Sequence, residues 1–304
     1  LRKACPRGGG SGKAWHMRNA LTIDVEDYYH VTAFEKYIKK GEWDSLPSRV
    51  VDNTLRVLDM ADEHSVKATF FVLGWVAERA PQLVRRIQER GHEIACHGYG
   101  HGLVYRLGAE GFRADVKRAK SILEDASGQA VTGYRAPSYS ITGNSLWAID
   151  ILIEEGFSYD SSIFPITHDV YGIPGAERFP YVIKRPTGSI LEFPLSTREF
   201  SIWGRAFRLP VAGGGYLRLF PLWVIKKAIA HINESEKQPA VLYFHPWEMD
   251  PGQPRIDAGL LSSFRHYTNI DKTMEKTASL LSAFRFAPMR SVLSGLGLGN
   301  SALN

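Results

Sequence analysis

The segment ALTIDVEDYYHV, residues 20–31, begins as an apolar run suited to a buried strand and then brings Asp24, Glu26 and Asp27 within four residues. Carboxylates that close repel one another, and burial raises the cost of each ionised form. A cation resolves the conflict. HGYGH supplies partners for one, since His97 and His101 stand at i and i+4 and can share a metal if the stretch turns as a helix. Two imidazoles and one carboxylate form a common open zinc set that leaves a position for water. Three acids exceed what one ion needs, so their roles should divide. In an extended strand Asp24 and Glu26 project to one face. That assigns Asp24 as general base on the activated water and Glu26 as the carboxylate ligand. Asp27 is either the rival ligand or a cap on the following helix.

Polar residues follow other apolar runs too. Arg135, in RAPSY, is placed to pair with Asp24, hold it ionised and aim it. Pro137 stiffens that loop and leaves the Tyr139 backbone N–H as a candidate oxyanion donor. His245 ends the apolar run AVLYF and can protonate a leaving amine, with Asp160 of YDSS orienting its ring. Each signal has a bland counterpart: surface histidines, a structural ion pair, a packed and hydrogen-bonded histidine. Five strand ends carrying such residues at once favour chemistry.

The elements that must position these groups alternate. Apolar runs at 20–23, 66–74, 92–96, 130–134, 157–160, 189–194 and 240–244 read as strands. Between them, Leu83, Val84 and Ile87 give an apolar face to a helix opened by Pro81 and stopped by Gly91. Phe112, Val116, Ala119 and Leu123 mark a second helix, Asn144 can cap a third running to Gly156, and a fourth is expected around 219–236. Such alternation predicts an α/β fold with parallel strands and right-handed crossovers, doubly wound or barrel-like, with function at the carboxyl ends of the strands. Residues 163–218, rich in Pro, Gly and aromatics, read as an insertion of loops and hairpins at the mouth. Tyr139, Trp203, Tyr216 and Trp247 are candidates to line that mouth, with core or lid packing favoured for Trp203 and Tyr216.

The net charge of +5 does not mark a nucleic-acid binder. Five of the 37 basic residues (Arg2, Lys3, Arg7, Lys13 and Arg18) lie in the first eighteen residues, leaving 32 basic against 32 acidic side chains. That Gly-rich head, 1–18, reads as an upstream remnant with Met17 as the natural start, followed by one domain over 19–290 and a tail over 291–304 that carries little ordering signal. Two cysteines cannot build a disulfide framework or a cysteine zinc site. No apolar run would span a bilayer and the head has no secretory core, so a cytoplasmic location is expected.

In this order, TIDVED, HGYGH, RAPSY, YDSS and LYFH resemble the five short motifs of the NodB-like polysaccharide deacetylases, carbohydrate esterase family 4. TIDVEDYYHV, FHPWEMDPGQPR and FRHY are similar to a bacterial branch found with exopolysaccharide and exosortase loci, extending the resemblance to about Met289. The resemblance implies a distorted (β/α)7-type barrel, the NodB homology domain. It also implies His97 and His101 as metal ligands, Asp24 as base, His245 as acid, and Arg135 and Asp160 as the residues tuning them. The ion would be divalent, Zn2+ first among candidates, and the substrate an N-acetylated glycan in exopolysaccharide synthesis, on whose rings Tyr139, Trp203, Tyr216 and Trp247 would be the candidates to stack, with peripheral association to membrane-bound synthesis machinery. Two departures stand out: Val25 separates Asp24 from Glu26 where the family has adjacent aspartates, and Gly98 replaces a Ser or Thr whose hydroxyl would brace the loop. Rival readings are an amidohydrolase for a small linear or cyclic amide, favoured by a small closed pocket, and a catalytically inactive carbohydrate-binding protein.

Overall fold

A computed structural model of the chain describes residues 17–202, 205–211 and 213–298. Among them the strands are β1 (Arg18–Val25), β2 (Thr69–Val72), β3 (Glu93–Cys96), β4 (Gly133–Tyr134), β5 (Tyr159–Asp160), β6 (Tyr181–Arg185), β7 (Gly188–Glu192), β8 (Thr197–Ile202), β9 (Arg205–Pro210), β10 (Val241–Phe244) and β11 (Arg285–Ala287). The main sheet runs β10-β1-β2-β3-β4-β5-β7-β6, and β11 also pairs with β1. Every neighbour pair from β10 to β7 is parallel; β6 alone adds antiparallel, as a hairpin with β7. The expected α/β fold is present. All seven positions of β1 from Asn19 to Val25 are buried, as a central parallel strand covered on both faces requires.

The helices are α1 (Val50–Glu63), α2 (Gly74–Arg79), α3 (Pro81–Glu89), α4 (Val104–Ser127), α5 (Trp147–Glu154), α6 (Gly215–Leu219), α7 (Leu222–Glu234), α8 (Gly259–Tyr267), α9 (Ile270–Ala283) and α10 (Met289–Gly295). The predicted apolar faces are the packed ones: Leu83, Val84 and Ile87 on α3, and Phe112, Val116, Ala119 and Leu123 on α4, are fully buried in one core. Thr142 caps the turn before α5, two residues ahead of the expected Asn144.

No ladder joins β7 to β10 among the described residues. Single contacts span the gap: Val211 N–H donates to Ser196 O (3.1 Å), Val241 N–H donates to Ser196 Oγ (2.7 Å), and Gly213 bridges Tyr243. A Cβ at Gly213 would fall 1.7 Å from the Tyr243 carbonyl oxygen, so this approach requires glycine.

Three expected boundaries move. Residues 163–218 are not wholly an insertion, because β7 lies within them and is a member of the main sheet. The β8–β9 hairpin and the loops around it do stand outside that sheet. Arg18, assigned to the head, begins β1 and pairs with Arg285. The tail cannot start at 291, since α10 runs to Gly295 and buries Met289, Val292 and Leu293. Helix packing against the first strand extends the domain there.

The β5–β7 register places Asp160 opposite Glu192, both fully buried. Asp160 Oδ1 accepts from Ser162 Oγ (2.5 Å) and Glu192 Oε1 from Ile163 N–H (3.0 Å), while Asp160 Oδ2 and Glu192 Oε2 have no other partner. Burial raises Asp160 to about 6, and burial together with the Asp160 charge raises Glu192 well above its ordinary range. The pair therefore holds protons that the unfolded chain releases near pH 4, and its contribution to stability falls as pH rises from there through 6 and beyond. Glu192→Gln should match wild type in melting temperature near pH 4 and gain a few degrees on it by pH 8. Parallel melting curves across that range would refute the shared proton.

Candidate active site

Arg135 follows β4 and is fully buried. Its Nη1 donates to Asp24 Oδ1 (2.7 Å) and Thr22 Oγ1 (2.8 Å), its Nε to Ser161 O (3.2 Å) and its Nη2 to Ser161 Oγ (3.0 Å), with the guanidinium 4.2 Å over the Phe71 ring. A buried cation is tolerable when its donors are matched in this way. The Tyr139 hydroxyl approaches the other Asp24 oxygen at 3.4 Å, and His245 Nε2 lies 4.0 Å from it. The expected Arg135–Asp24 pairing is in place.

One residue beyond β1, Glu26 turns back so that its N–H donates to Asp24 O. Its Oε1 lies 3.1 Å from His245 Nε2 and its Oε2 2.8 Å from His101 Nε2, yet Oε2 has no donor in hydrogen-bonding geometry. His97, at the end of β3, donates from Nδ1 to Arg135 O (2.8 Å), which leaves Nε2 with a free lone pair. Ligand atoms of Glu26, His97 and His101 lie within 4.8 Å of one another, and all three residues are buried. Burial would raise Glu26, but the charges of His101 and His245 outweigh it and hold the carboxyl below its usual range. Burial lowers His97 to about 4, so it is neutral at pH 7. An ionised carboxylate with one orphaned buried oxygen, beside two imidazoles, suits a divalent cation.

HGYGH achieves this without a helix. Tyr99 and Gly100 donate their N–H groups to Asp115 of α4 (2.7 and 3.4 Å), and His101 adopts φ +50°. Asp115 thus supplies the brace that a hydroxyl at position 98 would otherwise give. Gly98 has φ +72°, and a Cβ there would meet Asp115 Oδ2 at 2.8 Å. The long apolar-faced α4 gave no local sign of this acid's task.

Four expectations need correction. Asp27 is not a ligand: Oδ1 accepts from Tyr28 N–H (3.0 Å), and Oδ2 accepts from Ser48 Oγ (2.8 Å), Arg49 N–H (2.7 Å) and Val50 N–H (3.0 Å). It caps a 3-10 turn and ties down the start of α1. The Tyr139 N–H is no oxyanion donor, because it is engaged with Ala136 O at 2.9 Å in a turn where Ser138 and Tyr139 both have positive φ. Asp160 faces Glu192 rather than His245. Trp247 is 3% exposed and stacked between His245 and His266, so it presents no face to a sugar. Tyr216 packs on Phe220, and Trp203 lies outside the described residues.

The acid facing His245 Nδ1 is Glu248, 3.5 Å away, itself bonded by Arg218 Nε (3.2 Å). The sequence carried that signal in HPWE, where an acid three residues after the histidine forms a capping box. Burial alone would lower His245, but Glu26 and Glu248 raise it to about 9. Asp24, Glu26, His97, His101 and His245 open into a cleft of about 150 Å³, bounded by Tyr139, Tyr171 and Tyr243. Larger surface hollows between α4 and α5 and between β8–β9 and α7 lie away from these groups.

Residues 42–152 match the family model described as polysaccharide deacetylase. Over those residues the chain is similar to the polysaccharide deacetylases. Residues 161–294 match a second model, a domain of unknown function termed DUF3473, which covers Arg218, His245 and Glu248. The two matched regions share one sheet, and residues of both line the cleft. A peptidoglycan-N-acetylglucosamine deacetylase of Bacillus cereus is 33% identical over 192 residues, 57% of this chain and 64% of that protein. A chitooligosaccharide deacetylase of Sinorhizobium fredii is 39% identical over 100 residues, 33% of this chain and 44% of that protein. The chain thus spans less than two thirds of the length of these curated relatives. In structure, a crystal structure from Mycobacterium smegmatis assigned to the polysaccharide deacetylases superposes with TM-score 0.62 at 23% identity, covering 99% of this chain and 96% of that one.

The distinction between cap and ligand is testable. Asp27→Ala should lose about 1–3 kcal/mol of stability and keep its zinc affinity, measured by competition with a chromophoric chelator. His97→Ala should lose at least about tenfold in that affinity. Equal losses of affinity in both variants would return Asp27 to the ligand set.

Proposed function

We propose that this chain is a metal-dependent hydrolase that removes N-acetyl groups from sugar residues of a glycan. The observation that supports this reading is the convergence of Asp24, bonded to Arg135, and His245 on the Glu26–His97–His101 cluster. A divalent cation there, Zn2+ in this proposal, supplies an acidified water and Lewis-acid polarisation of the amide carbonyl. Asp24 Oδ2, the oxygen that Arg135 does not bond, is the one open to take the proton of the attacking water. Tyr139 limits its rotation. As the amide C–N bond breaks, the nitrogen takes the electron pair and His245 Nε2 delivers a proton to it, so that acetate and a free amino sugar leave. Burial of these groups excludes bulk water and strengthens each contact.

The resemblance of TIDVEDYYHV and FHPWEMDPGQPR supports extending this proposal to a glycan of exopolysaccharide synthesis, with peripheral association to membrane-bound machinery. No helix among the described residues is long and apolar enough to cross a membrane. The cleft of about 150 Å³ gives the amidohydrolase reading its own support, since that volume suits one acetamido group with part of its ring, or a compact amide.

Metal-stripped protein with zinc restored should release acetate from N-acetylhexosamine oligomers, and His97→Ala should abolish release. Asp24→Asn should lower kcat by about 10²–10⁴-fold. Turnover of small amides with no acetate from any glycan would favour the amidohydrolase. Tight zinc binding with no turnover of either would leave a binding protein.

A further inference from the structure

His245 is an acid only if the correct ring nitrogen faces the substrate. Its Nε2 looks into the site, 3.1 Å from Glu26 Oε1, and its Nδ1 looks out of it, with Glu248 Oε1 the facing acid at 3.5 Å and no hydrogen-bond partner yet closed on it. The proton on one imidazole nitrogen is set by what the other nitrogen meets. Asp160, the residue expected to do this, is committed to Ser162 and faces Glu192. We infer that Glu248, held by Arg218, is the positioning residue of this site: it keeps the Nδ1 proton of His245 in place and aims Nε2 at the leaving nitrogen. The inference rests on the proposed deacetylase reading.

The surroundings of Glu248 are built to keep it there. It is 1% exposed and Arg218 3% exposed. Besides bonding Glu248, Arg218 donates from Nη1 to the carbonyls of His266 (2.7 Å) and Thr268 (3.2 Å) at the end of α8, where helix carbonyls favour a cation. Trp247 steadies the ring of the acid, stacked on His266 at 4.1 Å and 8° and on His245 at 5.2 Å and 19°. Gln253 locks that stack, donating to Trp247 O (2.8 Å) and meeting His266 Nε2 (2.7 Å). FHPWEMDPGQPR and FRHY are therefore one device around His245, contributed by the DUF3473 region. When His245 gives its Nε2 proton to the nitrogen of the breaking C–N bond, the ring is left neutral with Nδ1–H still directed at Glu248. The same tautomer is then ready to be protonated again at Nε2.

A purely structural ion pair would affect stability alone. Glu248→Gln preserves shape and removes the charge that holds Nδ1–H. It should cut kcat by about 10- to 1000-fold, leave KM and zinc affinity near wild type, and remove the downfield Nδ1 proton resonance that is also absent from His245→Gln. Glu248→Asp should recover part of the kcat. If Glu248→Gln fails to fold, Arg218→Lys, which keeps the charge but loses the fork, should lower kcat with KM retained. Wild-type kcat in Glu248→Gln, or a retained Nδ1 resonance, would overturn the inference. The resonance needs no substrate. A wild-type protein inactive on every glycan would defeat the deacetylase reading while the Glu248–His245 contact was still being read.

Discussion

The site depends on one buried residue, Arg135. Its guanidinium donates to Asp24 and Thr22 on β1 and to Ser161 beyond β5, and its own carbonyl accepts the Nδ1 proton of His97. One side chain thus aims the proposed base while its backbone sets the tautomer of a proposed ligand. The coupling has a cost. A guanidinium with no exposure is stable only while its acceptors remain, and removal of one partner of such a pair costs about 3–5 kcal/mol because the other charge stays buried. Changes at Asp24 therefore act on the fold and the chemistry together.

The sheet order explains why residues more than two hundred positions apart meet. β10 pairs with β1 in a register that sets Phe244 opposite Ile23, so that Asp24 and His245 are the next residues on adjacent strands. His97 sits two strands away, beyond β2, at the same carboxyl edge. The boundary between the two matched family regions falls at β5, inside the sheet, and β7 continues the pairing. Neither region has a complete site alone: one brings His97, His101 and Arg135, the other His245 and the frame around it.

What was legible in the sequence was what periodicity and local spacing encode. The apolar faces of α3 and α4 follow from the 3.6-residue repeat, whereas Glu26 reaches the site through a turn just past β1 and not by strand alternation. What was not legible depended on long-range partners or on backbone turns. The partners that make Asp27 a cap, Ser48 to Val50, lie more than twenty residues on. The turn that engages the Tyr139 N–H needs positive φ at two non-glycine residues, which residue type disfavours. Asp160 was displaced by a register that set it against Glu192. Glu248 is different, since its capping spacing within HPWE was readable and was passed over for a more distant acid.

The crowding of Asp24, Glu26 and Asp27 is resolved residue by residue. Asp27 sits among four donors on its two oxygens, three of them backbone N–H groups, which partly offset the upward push of burial on its carboxyl. Asp24 has a guanidinium, and the third buried acid of the site, Glu248, has another. Glu26 differs from them. Among the described residues its charged neighbours are histidines, His101 and His245, and one of its oxygens has no aligned donor. Against the effect of burial, Glu26 and Glu248 raise His245, so it gives Glu26 a titratable counter-charge, whereas burial holds His97 neutral. Glu26 is therefore the carboxylate that faces imidazoles instead of a fixed guanidinium and shares a cavity with His97 and His101, a donor set that suits a divalent cation.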